Sequence, residues 1–198
     1  VCDMSFNDLA DAGVACLASA LAANKECPLR VLDLTYNNFR AEGAAALAEY
    51  VSSSTTLNEL SVRNNELGEE GCASVGAILS SGTLTKLDIS GTKLTVGGLQ
   101  AVANALRVNV CLTSLSVQDL EDDGLRVLGA ALHSNPRNRL SCAVCDAFDA
   151  SASDMSHLDV VASGFGTGSA TLLANVLRVS TSLTSLNIAD AGGEFSVP

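Results

Sequence analysis

Leu29-Arg30-Val31-Leu32-Asp33-Leu34-Thr35-Tyr36-Asn37-Asn38-Phe39, followed by Gly43, Leu47 and Val51, is the stretch on which the fold turns. Its apolar period changes in the middle. Leu32 and Leu34 lie two apart, as on one face of a strand, whereas Leu47 and Val51 lie four apart, as on one face of a helix. The same phrase returns as Leu57, Leu60, Val62, Asn65, Leu67, Gly71, Val75 and Leu79. It returns again as Leu84, Leu87, Ile89, Thr92, Leu94, Gly98, Val102 and Leu106. The opening positions Leu29, Leu57, Leu84, Leu112, Leu140, Met155 and Leu183 are spaced by 28, 27, 28, 28, 15 and 28 residues. Such a period marks a repeat architecture, each unit being a short strand, a turn and a helix. Acidic residues stand at the expected helix starts, Asp11, Glu42, Glu69, Glu70, Asp122 and Asp123, where they complement the positive end of the helix dipole.

This pattern resembles the leucine-rich repeat family, and the long repeat with a full helix is similar to its ribonuclease-inhibitor-like subclass. The resemblance implies a right-handed α/β solenoid, a horseshoe arc with a parallel sheet on the concave face and helices on the convex face. Each repeat would bury its apolar faces against its neighbours. The strand leucines Leu32, Leu34, Leu60, Leu87 and Leu115 are expected to form one continuous core. The resemblance also places Asn7, Asn37 and Asn65 in the family's asparagine slot, where the amide satisfies backbone groups of the turn. Thr92 and Ser163 stand there in later repeats, and the repeat from Leu112 loses two residues at this point, since Leu120 and Gly124 come early. By this register the chain starts inside a strand, and the repeat from Leu183 reaches Pro198 without its helix. The expected organisation is a single leucine-rich-repeat domain over residues 1–198, a segment of a larger protein, with an irregular joint at 140–154.

Composition narrows the function. The 198 residues carry 22 acidic and 11 basic side chains, a net charge of −11, which argues against nucleic acid as a partner because phosphate binding needs clustered Lys and Arg. Hydrophobic residues make up 47% but aromatics only 4%, with no Trp, so the core must be aliphatic and aromatic binding anchors are scarce. Residues 160–177 hold no charge, yet Gly164, Gly166, Gly168, Ser169, Thr171 and Asn175 make them too polar for a membrane span, and no membrane insertion is expected. Seven cysteines form an odd set without the spacing of a disulfide framework, which favours a reducing, intracellular and cytoplasmic location.

The joint breaks the pattern. The residues between Leu140 and Met155 are too few for another strand, turn and helix. Asp146 to Asp154 is small, polar and acidic, with Phe148 its one large apolar side chain, so it cannot supply the missing helix. A loop bulging from one extended repeat is the first expectation; a truncated repeat that leaves a gap in the helix layer, and residues missing from the chain, are the other two. A missing helix would expose apolar sides of its neighbours, and such a patch binds or aggregates. The joint is thus a candidate contact, with Phe148 inserting into it or into a partner.

Candidate sites follow from the register. Outward strand positions are Val31, Asp33 and Thr35; Glu59, Ser61 and Arg63; Lys86, Asp88 and Ser90; Ser114, Ser116 and Gln118; His157, Asp159 and Val161; Ser185, Asn187 and Ala189. This face is small, polar and mildly acidic. The expected partner-binding residues on it are Asp33, Glu59, Arg63, Asp88, His157 and Asp159, with Tyr36 at a strand end and Phe148 at the joint. Beside it, Asp8, Asp11, Glu66, Glu69, Glu70, Asp119, Glu121, Asp122 and Asp123 should stack into an acidic ridge, which caps helices and keeps the surface solvated or else meets a protein with a basic surface.

Cys142-Ala143-Val144-Cys145, with His157 downstream, invites a metal reading, but strand positions three apart point to opposite faces. Cys145 falls in the slot of Leu34 and Val62, where it serves as a small buried hydrophobe. Asp154, His157 and Asp159 lack a nucleophile motif around them, and Gly164, Gly166 and Gly168 lack the Lys and spacing of a phosphate loop. No catalytic residue, metal or cofactor is expected. Arg137-Asn138-Arg139-Leu140 reproduces a turn phrase of the Ran GTPase-activating proteins, which look similar in their solenoid. In those proteins the Asn fills the asparagine slot, whereas Asn138 precedes a repeat opener, so no catalytic role is transferred. The leading reading is a non-enzymatic interaction scaffold, a subunit of a large intracellular assembly of cytoskeletal or ciliary kind. A small-GTPase regulator and the sensing segment of an innate-immune-type receptor are the alternatives.

Overall fold

The computed structural model describes residues 1–150, 157–161, 165–181 and 183–189, with the backbone alone for 157–161 and 187–189. Strand and helix alternate as β1 (Cys2–Asp3), α1 (Ala10–Ala23), β2 (Val31–Asp33), α2 (Ala41–Ser53), β3 (Glu59–Ser61), α3 (Gly68–Leu79), β4 (Lys86–Asp88), α4 (Leu99–Leu106), β5 (Ser114–Ser116) and α5 (Asp122–Ser134). There follow β6 (Cys142–Cys145), β7 (Phe148–Ala150), β8 (His157–Val161), α6 (Thr167–Val179) and β9 (Ser185–Ala189). The result is the right-handed α/β solenoid that the period implies. Among the described residues, no helix is long and apolar enough to cross a membrane.

The sheet is built by register. β1 to β6 pair in parallel and in sequence order, with Leu32 opposite Leu60, Leu60 opposite Leu87, Leu87 opposite Leu115, and Leu115 opposite Ala143. A second row, Leu34, Val62, Ile89, Val117 and Cys145, is buried beside it. Both rows face the helix residues expected from the four-residue spacing, Leu47 and Val51, Val75 and Leu79, Val102 and Leu106, all buried in the same core. A strand of three residues with one buried leucine has little to hold it alone; its stability comes from the rungs on either side.

The turns are tied by asparagine. Asn65 is fully buried, and its Nδ2 donates to the carbonyls of Val62 and Arg63 in its own turn and of Leu34 one repeat back, at 3.0, 3.1 and 2.9 Å. Its Oδ1 accepts the Asn37 amide of that earlier repeat at 2.9 Å. Asn37 reaches back likewise, from Nδ2 to the Met4 carbonyl at 2.8 Å. In the first turn Asn7 bonds the carbonyls of Met4 and Ser5, and in the fourth the Thr92 hydroxyl donates to the Ile89 carbonyl. Buried backbone groups left without such partners would each be costly.

The helices start on borrowed carboxylates. No helix in the described residues is capped by a side-chain bond from its own N-cap residue. Asp11, in the first turn of α1, instead accepts the amides of Arg40 and Gly43 at 2.8 and 2.7 Å, at the start of α2. Asp122, in the first turn of α5, accepts the amides of Gly168 and Ser169 at 3.0 Å each, at the start of α6. The Gly168 amide is the main reason its carboxyl is held below the usual carboxylate range, ahead of burial, which opposes it, and the Ser169 bonds.

The joint differs from the expected loop. β7 turns back on β6 as an antiparallel strand, with Cys145 opposite Phe148 and Ala143 opposite Ala150. Phe148 and Ala150 point inward, 4% and 0% exposed, while Asp149 between them is exposed. The two residues Asp146 and Ala147 suffice for the reversal, and the period-2 alternation of a small apolar stretch makes it a strand. There is no gap in the helix layer, because α6 packs directly on α5. Among the described residues the helix layer advances by a single step, from α5 to α6, while the strand side gains β7 at the edge of the first sheet and β8 in a second, two-stranded sheet. β8 pairs in parallel with β9 and lies beside β7. Met155 and Asp154, read as part of the joint, and Ser163 and Gly164 of the following turn, lie outside the described residues.

Truncating Leu60 to Ala should lower the unfolding free energy by about 2–5 kcal/mol, measured by chemical denaturation. Hydrogen exchange should quicken in β2 and β4 as well as in β3. Asp122→Ala should cost about 0.5–2 kcal/mol, as loss of a helix cap does. Because the folded carboxyl is held low, its contribution is full above the unfolded pKa of about 3.9 and is lost as pH falls through the folded value. The gap between variant and parent in thermal melts should thus be widest near neutrality and close in acid.

Candidate functional site

The concave face carries its charges in rows. Asp33, Ser61, Asp88 and Ser116 are successive partners across the sheet, as are Val31, Glu59, Lys86 and Ser114. Within these rows Lys86 Nζ lies 3.0 Å from Glu59 Oε1, and Arg63, two residues past β3, places Nη1 3.9 Å from Asp88 Oδ2. Four of the expected binding residues, Asp33, Glu59, Arg63 and Asp88, are thus brought onto one half-exposed surface of three neighbouring strands. The aspartates are also structural. Asp3, Asp33 and Asp88 each use Oδ1 to accept the amide two residues on, from Ser5, Thr35 and Ser90 at 2.9, 2.8 and 2.9 Å. The Ser5 hydroxyl and then the Ser5 amide hold the Asp3 carboxyl below its usual range.

Two positions read as outward are not open. Thr35 and Ser90 are 9% and 1% exposed. The Thr35 and Ser61 hydroxyls lie 2.8 Å apart, and the Ser90 hydroxyl accepts the Gln118 amide at 3.1 Å. Phe148 lies in the core, so of the two placements expected for it the structure shows insertion into its own joint, and its ring is not presented to a partner. The β8 backbone sets His157 opposite Ser185 and Asp159 opposite Asn187; the side chains of these two lie outside the described residues.

Shortly after each of the first five strands, the backbone turns left-handed. Phe6, Tyr36, Asn64, Gly91 and Asp119 occupy the same position in successive repeats, with φ of 57°, 54°, 53°, 65° and 63°. Gly, Asn and Asp tolerate this region, whereas bulky residues there are outliers. A Cβ on Gly91 would come within 2.1 Å of Asn64 Oδ1, so that side chain would have to move. The first two rungs hold aromatics nonetheless. Their rings stack at a centroid separation of 4.9 Å and 25° between planes, and they remain 74% (Phe6) and 50% (Tyr36) exposed. Tyr36 was among the expected residues and Phe6 was not. The signal was present in the register, because each of the two precedes a slot asparagine.

The acidic ridge is largely engaged. Besides the caps from Asp11 and Asp122, Asp8 accepts from Asn38 at 3.2 Å, and Glu69 from the Thr95 hydroxyl at 3.1 Å. Glu66 meets Lys93 and, at 3.7 Å, Arg40, and the Lys93 hydrogen bond is the main cause of its lowered pKa. Asp123 pairs with Arg126 at 3.0 Å within α5. In β6 the two cysteines face opposite ways, Cys142 half-buried and Cys145 buried, and burial pushes the Cys145 thiol up. Among the described residues, no three His, Cys, Asp or Glu side chains cluster as metal ligands would. Asn138 lies between α5 and β6, at the opposite strand end from Asn37 and Asn65, with its Oδ1 accepting the Leu140 amide at 2.9 Å.

A family model described as Leucine Rich repeat matches residues 3–18, 26–48, 53–76 and 81–103. Over 135 residues, 65% of the chain and 13% of the relative, the sequence is 33% identical to NACHT, LRR and PYD domains-containing protein 13 of Homo sapiens. It is 26% identical to RAN GTPase-activating protein 2 of Arabidopsis thaliana, over 67% of the chain and 25% of the relative. It is 31% identical to the Ribonuclease inhibitor of Sus scrofa, over 64% of the chain and 28% of the relative. A solved tropomodulin C-terminal domain of Caenorhabditis elegans superposes with a TM-score of 0.53 at 18% identity, covering 67% of this chain and 83% of that one, a likeness of fold alone.

Gly91→Ala should destabilise the chain by about 1–3 kcal/mol, since it adds a left-handed alanine and a clash with Asn64. Urea titration of the two proteins would measure it.

Proposed function

The chain is a leucine-rich-repeat protein of the ribonuclease-inhibitor-like kind, and from that premise we propose that it is a non-enzymatic scaffold whose concave sheet binds a protein partner with a basic surface. The observation that carries this reading is the group of Asp33, Glu59 and Asp88 on three neighbouring strands, with Arg63 just past β3, all half-exposed on the concave face. His157 and Asp159, on β8 of the second, two-stranded sheet, are included in this proposal. A net charge of −11 steers cationic surfaces toward it. A solenoid offers sheet, helices and turn edge as separate surfaces, so one chain can touch several neighbours at once. That geometry suits a subunit of a large intracellular assembly, of cytoskeletal or ciliary kind. Seven free thiols suit the reducing cytoplasm.

A second reading, regulation of a small GTPase, is favoured by the likeness to RAN GTPase-activating protein 2 and weakened by the placement of Asn138 away from the asparagine turn. A third, the sensing segment of an innate-immune-type receptor, draws on the likeness to NACHT, LRR and PYD domains-containing protein 13. A GTP hydrolysis assay with a Ran-type GTPase tests the second reading: acceleration abolished by Arg139→Ala would establish it. Discovery of a nucleotide-binding domain upstream in the full gene would favour the third.

The scaffold reading is tested by affinity purification from the native source. The double variant Asp33→Lys, Asp88→Lys should lose its partner by about tenfold or more, while Ser19→Lys on the exposed face of α1 should retain it. Equal retention by both would remove the concave face as the binding surface.

A further inference from the structure

Two exposed aromatic rings occupy left-handed backbone. Phe6 and Tyr36 lie on the left-handed rungs where later repeats place Asn64, Gly91 and Asp119. Among the described residues they are the only exposed aromatics; Phe39, Tyr50 and Phe148 are buried in the core. Neither local conformation nor burial accounts for them. Choices that break a local rule with no folding gain mark functional positions.

The surroundings specify what the rings suit. Asp3 and Asp33 are partners across β1 and β2, three residues before Phe6 and Tyr36, so the strand stretch leading to each ring carries a carboxylate. On the helix side stands Asp8, linked to Asn38 at 3.2 Å. The nearest guanidinium groups are turned elsewhere, Arg63 to Asp88 at 3.9 Å and Arg40 to Glu66 at 3.7 Å. Asp33 Oδ1 is taken by the Thr35 amide, and Oδ2 has no partner among the described residues. An aromatic face beside free carboxylate oxygens is a receptor for a planar cation, which stacks on the ring and hydrogen-bonds to the acid at its edge. An ammonium group has the charge without the plane.

We propose that the Phe6–Tyr36 stack, with Asp3 and Asp33, docks an arginine side chain of an extended segment in a basic protein partner. This deepens the scaffold reading, on which it rests, by naming one side chain the partner must carry. The aromatics act as the anchor, and the carboxylates select and orient the guanidinium.

The test uses the full chain and two fluorescein-labelled peptides, one alternating glycine and arginine, the other glycine and lysine, followed by fluorescence anisotropy at about 0.15 M salt to screen general attraction. The arginine peptide should bind about fivefold or more tightly than the lysine peptide. The double variant Phe6→Asn, Tyr36→Asn should lose about tenfold in arginine affinity while its melting temperature stays level or rises, since asparagine fits the left-handed rung. Asp33→Asn should weaken both peptides. Equal affinity for the two peptides, an unaltered arginine affinity in the double variant, or no arginine binding would each overturn the proposal. If the chain still retains a native partner in such a case, the scaffold reading stands and only the arginine anchor falls. Loss of arginine binding with a collapsed melt calls for the single variant Tyr36→Asn, whose unaltered affinity in a folded protein would count against the anchor.

Discussion

A repeat of this protein cannot fold by itself, because its strand buries a single leucine toward the core and leaves both edges unpaired. Everything else depends on stacking in register. Leu32, Leu60, Leu87 and Leu115 stand opposite one another because the repeats agree in length to within one residue. A slip of one position would turn each leucine to the concave face and an Asp or Ser into the core. The sheet, the core behind it and the charged rows in front of it are consequences of the same register.

Polar groups enforce that register as firmly as apolar ones. Asn37 and Asn65 each bond backbone groups of the preceding turn as well as their own, so a turn is satisfied only when its neighbour is in place. Asp11 and Asp122 extend the principle to the helix layer by capping the next helix rather than their own. The consequence shows at the joint. Asp122 takes hold of α6 across the inserted hairpin, so helix follows helix without a gap although the strand layer has gained extra strands. The insertion is absorbed by the packing of α6 on α5, with Asp122, Asn175 and Arg178 bonding across the two helices.

The division of labour between framework and surface follows from this. Most acids along the turn edge are engaged by caps, ion pairs or neighbouring hydroxyls, which gives the ridge a structural role. The concave acids share that engagement but stay half-exposed, and the aromatic pair at the left-handed rungs is exposed. Asp33 belongs to both worlds, with one oxygen securing the Thr35 amide and the other open. A scaffold in which binding residues also hold the turn keeps those residues oriented before any partner arrives, which lowers the ordering cost of binding.

The sequence by itself determined the repeat, its strand–turn–helix content, the buried leucine rows, the asparagine slot and the acidic helix starts. These are local and periodic, and period survives in one dimension. Four of the expected binding residues, Asp33, Glu59, Arg63 and Asp88, were legible for the same reason, since a strand alternates its faces. Only the tertiary structure decided which helix each carboxylate caps, because Asp122 and Ser169 are brought together by stacking and by no pattern in the chain. The joint was illegible as a hairpin because Phe148 to Ala150 is too short for its alternation to stand out, and its strand state is set by pairing with β6. Phe6 went unread because its exposure and left-handed backbone are properties of the turn, while its residue type alone reads as core.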